Sequence, residues 1–167
     1  MKKYSLFLIL SLIFLSCSKT SDLDYLTQSE KLLKENKVSE AVKSLETLLS
    51  EYPDSKLAPK ALVELAGIYQ SQQVKGLTHK QSIIKAEQYY YQVYEKYPDS
   101  EEAPLALFQA GILFDDALKN YDEATRIYNL FLEKYPNDKH AVIVKQSLDI
   151  MGIDPNDIIN KKEALKK

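Results

Sequence analysis

The sequence has few of the residues on which most protein chemistry depends. It holds one Cys, two His and four Gly, and it has no Trp. A single Cys excludes an internal disulfide, so the fold must be held together by packing. So few Cys and His residues argue against a zinc site, and the scattered Gly residues do not form a phosphate-binding loop. We therefore expect no metal, no cofactor and no catalytic centre.

The sequence also lacks any region in which charges of one sign are concentrated. The formal net charge is -2, which provides neither a basic field for nucleic acid nor an acidic tail. Only six Pro residues and the four Gly interrupt the 167 residues, and 45% of the residues are apolar. This balance predicts one globular domain with a real core, built from helices rather than from a sheet.

One long apolar run is present, and it lies at the N-terminus. Leu6–Leu15 is broken only by Ser11 and follows Lys2 and Lys3. Its ten residues are too few to cross a bilayer, which takes about twenty residues in a helix. The length and the positive start are typical of a secretory signal.

The residues after this run resemble the lipobox of bacterial lipoproteins. Ser16 and Cys17 match the cleavage and lipidation positions, while Phe14 stands where the family usually has Leu. The resemblance implies that residues 1–16 are a signal peptide, that Cys17 carries the lipid, and that residues 17–21 are a tether. Ser18 after the Cys implies the outer membrane, with the domain facing the periplasm. An ordinary signal peptide with a stray Cys, or an uncleaved anchor, is the alternative.

An internal repeat is the strongest pattern in the sequence. A Tyr-Pro dipeptide recurs at Tyr52, Tyr97 and Tyr135, with spacings of 45 and 38 residues. Eleven residues before each Tyr stands an Ala, and large apolar side chains follow that Ala by four and seven residues, on one face of a helix. The three Ala residues are Ala41, Ala86 and Ala124. Because Ala lets helices approach closely and Pro ends a helix, the repeat predicts stacked helical hairpins.

These hairpins resemble the tetratricopeptide repeat, whose usual length is about 34 residues. The first-helix signature also fits, as in Leu62, Leu65, Ala66 and Tyr69. The resemblance implies an all-α, right-handed stack of antiparallel hairpins over residues 22–153, with about three hairpins and a capping helix, followed by a C-terminal helix or tail at 154–167. The expected helices are 22–35, 38–51, 57–73, 79–96, 102–118, 121–134, 140–151 and 155–165.

The closing Tyr-Pro turns and the insertions resemble those of two envelope protein families. These are outer-membrane-assembly lipoprotein D and the tetratricopeptide part of the Tol-Pal cell-division coordinator. The resemblance implies a lipid-anchored scaffold that binds envelope proteins, in outer-membrane assembly or in division. The alternative is a lipoprotein that captures glycans or nutrients, although the absence of Trp argues against sugar platforms.

The repeat register also predicts a partner-binding groove on the concave side, formed by the first helix of each hairpin. An apolar groove of this kind suits an extended or helical peptide from an envelope protein. The alternatives are that helix 155–165 or a second copy of the chain covers the groove. The groove positions are Leu26, Lys60, Val63, Leu105, Phe108, Ile112 and Asp115.

A run of tyrosines predicts a second contact surface, on the convex side. Tyr90 shares the repeat position of Leu45 and Tyr128 and should be in the core, whereas Tyr91 should be exposed beside Tyr94. Because Tyr is favoured in interfaces, the pair is a candidate contact patch. The alternative is that Tyr91 lies flat on the surface.

Overall fold

The computed structural model describes residues 19–153. The predicted signal peptide, Cys17 and the predicted helix 155–165 lie outside this range. Within it the structure has seven α-helices, and no β-strand is present in these residues. None of these helices is long and apolar enough to cross a membrane. The helices are α1 (Asp22–Lys34), α2 (Val38–Glu51), α3 (Ala58–Gln70), α4 (His79–Lys96), α5 (Ala103–Ile112), α6 (Tyr121–Lys134) and α7 (Ala141–Ile150).

Each helix packs mainly against the helices that precede and follow it in the chain. The pairs α1–α2, α3–α4 and α5–α6 form three hairpins, and α7 packs on α6. The prediction of an all-α stack of antiparallel helical hairpins is therefore confirmed.

Small residues lie where the repeat placed the close helix contacts. The side chains of Ala41, Ala86 and Ala124 have no exposed surface, and Tyr90 is buried as predicted. Gly111 on α5 shows how close this packing is, because a Cβ atom there would lie 2.6 Å from Cδ1 of Tyr128 on α6. The tyrosine ring occupies the space that any larger residue would need.

The helix starts follow the capping signals in part. Thr78 and Gln81 form a capping box at the start of α4. At α6 the Asn120 side chain accepts a hydrogen bond from the backbone N–H of Glu123 at 3.3 Å. The carboxylate of Glu123 does not return the bond but pairs with Arg126 at 2.8 Å. Only half of a capping box is therefore present at the start of α6.

Two helices end differently from the prediction. α3 ends at Gln70 rather than at residue 73, because Gln72 has a left-handed backbone with φ of 55°. α5 ends at Ile112 and continues as a π-helical turn, Leu113–Ala117. The π-helical turn shifts the register of the side chains that follow it. The Nζ atom of Lys119 therefore lies 3.9 Å from the Asp116 carboxylate. In a regular α-helix the four-residue spacing would have paired Lys119 with Asp115.

Candidate partner-binding surface

Two of the predicted groove residues line one open cleft beside the first helices. Val63 on α3 and Leu105 on α5 lie in its wall, and Leu105 is 43% exposed. The cleft has a volume of about 680 Å³. Lys60 lies one helical turn before Val63 and is exposed. The remaining wall is formed by Glu101, Glu102, Pro104, Asn137, Asp138, Lys139 and His140. We call the surface of Lys60, Val63, Leu105, Ile112 and Asp115 the groove face.

The groove face is charged at its N-terminal end. The Nζ atom of Lys60 lies 3.2 Å from Glu30 on α1 and 3.8 Å from Glu64 on α3. Glu64 also accepts a hydrogen bond from the hydroxyl of the buried Ser29 at 3.3 Å. Burial raises the pKa of Glu64. The cluster ties α1 to α3 and leaves the Lys60 ammonium half exposed, where it can also meet a partner.

At its other end the groove face is less polar. Ile112 on α5 is half-buried, and Asp115 follows it on the π-helical turn. Burial and the neighbouring Asp116 carboxylate raise the pKa of Asp115. This end therefore offers an apolar side chain and a carboxylate that is partly withdrawn from water.

The placement of two predicted groove residues is wrong. Leu26 and Phe108 are only 3% and 8% exposed, and both belong to the hydrophobic core. Phe108 is covered by His140, whose ring stacks on it with centroids 4.8 Å apart, and it also packs on Phe131. Since His140 belongs to the next repeat, a pattern within one helix could not show that the phenyl ring is covered.

Sequence reasoning missed His140 as part of this surface. The ring is held by Asp138, which lies 2.7 Å from Nδ1 and accepts the His140 backbone N–H at 2.8 Å. A usable signal was present. His140 and Glu102 both stand five residues after the Tyr of a Tyr-Pro turn. Glu102 lines the same cleft as Val63, and His140 covers Phe108. The repeat spacing alone could have brought these pairs together.

The prediction that Tyr91 and Tyr94 form an exposed pair is also wrong. Tyr91 and Tyr94 are half-buried, with ring centroids 5.9 Å apart. The edge of Tyr94 meets Tyr135, and the Arg126 guanidinium lies 5.6 Å from the centre of the Tyr91 ring. Both rings therefore fill the contact between α4 and α6, because the side chains of α6 cover the side of α4 that carries them.

No arrangement for metal chemistry is present in the part of the chain that the structure describes. Within residues 19–153 no group of three or more His, Cys, Asp or Glu side chains is placed to hold a metal ion. The groove face combines three apolar side chains, one ammonium group and one carboxylate, and the carboxylates of Glu30, Glu64, Glu101 and Glu102 lie beside it. Such a surface can bind another chain by contact.

The structure therefore has the architecture of a helical-repeat protein, in which stacked hairpins leave one face open, here the groove face. The tetratricopeptide repeat family matches residues 28–55 and 105–138. The second match runs from α5 to the third Tyr-Pro turn, and the first runs from the middle of α1 through α2 to the first Tyr-Pro turn. Between them lies the hairpin with the unusually long α4, of 18 residues. No curated protein matches the chain significantly.

The fold and this match agree. The protein is an all-α solenoid of tetratricopeptide-type hairpins. Repeats of this type generally serve as non-catalytic scaffolds for protein–protein interaction, and each repeat contributes surface to an extended binding face.

Proposed function

We propose that the protein is a lipid-anchored scaffold that holds other proteins at the bacterial cell envelope, in outer-membrane assembly or in division. The cleft of about 680 Å³ between Val63 and Leu105 carries the proposal, because it leaves a large apolar side chain 43% exposed on rigid helices. An exposed apolar anchor beside charged groups suits an amphipathic peptide segment of a partner.

The start of the domain supports an anchor close to the first repeat. Ser21 caps α1, and the Tyr52 hydroxyl donates to the Thr20 carbonyl oxygen at 2.7 Å. The Lys19 ammonium lies over the Tyr52 ring, 4.6 Å from its centre. The three residue-to-residue steps from Cys17 to Thr20 span at most about 11 Å. A lipid on Cys17 would therefore hold the first Tyr-Pro turn close to the membrane surface.

Lipidation is tested by labelling cells with radioactive palmitate. The wild-type chain should incorporate label and fractionate with membranes, because acyl chains contribute about 0.8 kcal/mol for each buried CH₂. Cys17→Ala should incorporate none and accumulate as an unprocessed precursor. A wild-type chain that carries no lipid and is free in the periplasm would contradict the anchor.

Partner binding is tested with a photo-crosslinking amino acid placed at Leu105 in living cells. The control position is Tyr121, at the start of α6, because its exposure of 41% nearly equals the 43% of Leu105. We expect a defined envelope protein to crosslink at Leu105 and not at Tyr121. Equal products at both positions, or none at either, would contradict a specific groove.

A substitution gives an independent measurement. Leu105→Asp should reduce capture of that partner by about tenfold or more, as expected when a central apolar anchor is lost. Its Tm should change little, since the side chain is already substantially exposed. Retained capture by Leu105→Asp would place the binding surface elsewhere.

A further inference from the structure

The outer side of α7 carries several exposed apolar side chains beside the exposed Lys145, Gln146 and Asp149, although it is the last helix of the described range. Val142 is 65% exposed, Ile143 and Ile150 are each 49% exposed, and Ile153 just beyond the helix is 45% exposed. Ile143, Ile150 and Ile153 are separated by seven and three residues, which places the first two on one helical stripe that Ile153 continues. A terminal helix of a solenoid normally presents a polar face to water. The stripe is therefore a surface that another segment should cover.

The backbone at the end of α7 resembles the turn inside each hairpin. A residue with a left-handed backbone follows the first helix of all three hairpins, at Asn36, Gln72 and Lys119. Gly152 follows α7 in the same way, with φ of 74°. Within residues 19–153 the Tyr-Pro turns between hairpins contain no residue with positive φ. α7 thus ends as the first helix of a further hairpin would end.

The length and the pattern of residues 154–167 fit the missing second helix. This segment begins directly after Ile153 with Asp154 and Pro155, a typical helix start. Its fourteen residues would extend about 21 Å as a helix, which is longer than the ten residues of α7. Ile158 and Leu165 are seven residues apart and would share one face.

The charges fit the same arrangement. A helix that returned along α7 would bring its last residues, including Lys166 and Lys167, towards the beginning of α7. That beginning borders the cleft, whose wall contains Glu101, Glu102 and Asp138. The two terminal lysines would then lie near the carboxylates of the cleft, and the apolar face of the segment would pack against the isoleucines of α7.

We propose that residues 154–167 fold back along α7 as the second helix of a fourth hairpin, cover the Ile143, Ile150 and Ile153 stripe, and place Lys166 and Lys167 against Glu101 and Glu102. The occupant of this apolar face is thus the chain's own C-terminal segment. This arrangement does not depend on the lipid anchor or on an envelope partner.

Zero-length carbodiimide coupling of the full-length chain, followed by mass spectrometry, tests the arrangement. Amide links should form between Lys166 or Lys167 and Glu101 or Glu102. The link between Lys60 and Glu30 is the internal control, since those groups are 3.2 Å apart. If the control link forms and no link from the terminal lysines does, the proposal is wrong.

Mixing chains of natural isotopic composition with ¹⁵N-labelled chains identifies which molecule supplies the segment. The proposal requires the links to join peptides of one isotopic type. Links that join light and heavy peptides in the proportion of random pairing would show that a second copy covers α7, and would overturn it.

A substitution in the stripe tests what holds the segment. Ile150→Asp in the full-length chain should lower the yield of the terminal-lysine links at least fivefold while the Lys60–Glu30 link is unchanged. Leu23→Asp is the matched control, because Leu23 is also apolar and exposed (58%) but lies on α1. If the Ile150 variant loses the control link through unfolding, Ile143→Ser provides the second variant. Unchanged yields in a folded stripe variant would overturn the proposal.

Discussion

The hydroxyl of Tyr97 donates a hydrogen bond to the carbonyl oxygen of Pro53 at 2.6 Å, which joins one Tyr-Pro turn to the preceding one. Tyr135 repeats the contact with Pro98 at 2.9 Å. Each Tyr ends the second helix of its hairpin, so its side chain is placed to reach back to the neighbouring repeat. The dipeptide that stops a helix therefore also fixes the spacing between repeats.

Tyr97→Phe should destabilise the domain without altering its helix content. The variant loses one hydrogen bond between repeats, which typically contributes about 0.5–1.5 kcal/mol, and thermal melts should show a Tm lower by about 2–6 °C. Tyr121→Phe, at an exposed position, is the control and should change stability by less than about 0.5 kcal/mol. Equal melting of both variants would show that the contact between the turns contributes nothing.

Two glycines on first helices should respond oppositely to the same substitution. Gly111→Ala forces a methyl group against the Tyr128 ring and should cost about 1–3 kcal/mol. A methyl group at Gly67 would meet no atom within 4 Å outside the adjoining turns of its own helix, so Gly67→Ala should stabilise α3 by about 0.5–1 kcal/mol. Chemical denaturation of both variants measures the two values. A neutral Gly111→Ala would mean that α5 and α6 can separate without cost.

Phe108→Ala should act on stability because its ring is packed between His140 and Phe131. Truncating a buried Phe typically costs about 3–5 kcal/mol. Urea denaturation should therefore show a large loss of stability for Phe108→Ala and only a small one for Leu105→Ala, whose side chain is 43% exposed. The reverse order would indicate that the Phe108 ring is accessible in solution.

Stability should fall as the pH rises through neutrality because of Glu87 on α4. Burial raises the pKa of Glu87 from 4.5 to about 7; the Arg126 cation opposes the shift, and the Glu123 and Glu95 carboxylates add to it. Because folding favours the protonated form, this contribution to stability is fully present below pH 4.5 and is lost as the pH rises through 7.

Glu87→Gln measures that contribution, since glutamine cannot ionise. Its Tm should be close to that of the wild type near pH 4.5 and should exceed it at pH 8, by about 1–2 kcal/mol in stability once solvent screening is allowed for. Glu51→Gln, at an exposed position of α2, should show no such crossover. A Tm difference for Glu87→Gln that stays the same at both pH values would show that folding does not raise the pKa of Glu87.

The sequence by itself determined the repeat register and most helix boundaries. Ala41, Ala86 and Ala124 are buried because a close helix contact tolerates only a small side chain, and that requirement is visible at a fixed distance from each Tyr-Pro pair. The capping box of Thr78 and Gln81 is likewise local, because both partners lie within one turn of the chain.

Tertiary structure decided which of the outward-pointing positions remain exposed. Val63 and Phe108 share one repeat position, yet Val63 lines an open cleft while Phe108 lies under His140. Tyr91 is likewise withdrawn from water by Arg126. Periodicity within a helix reports only the direction of a side chain. Whether a side chain that points outward is exposed to water depends on side chains from another repeat. The positions of those side chains are fixed only when the hairpins stack.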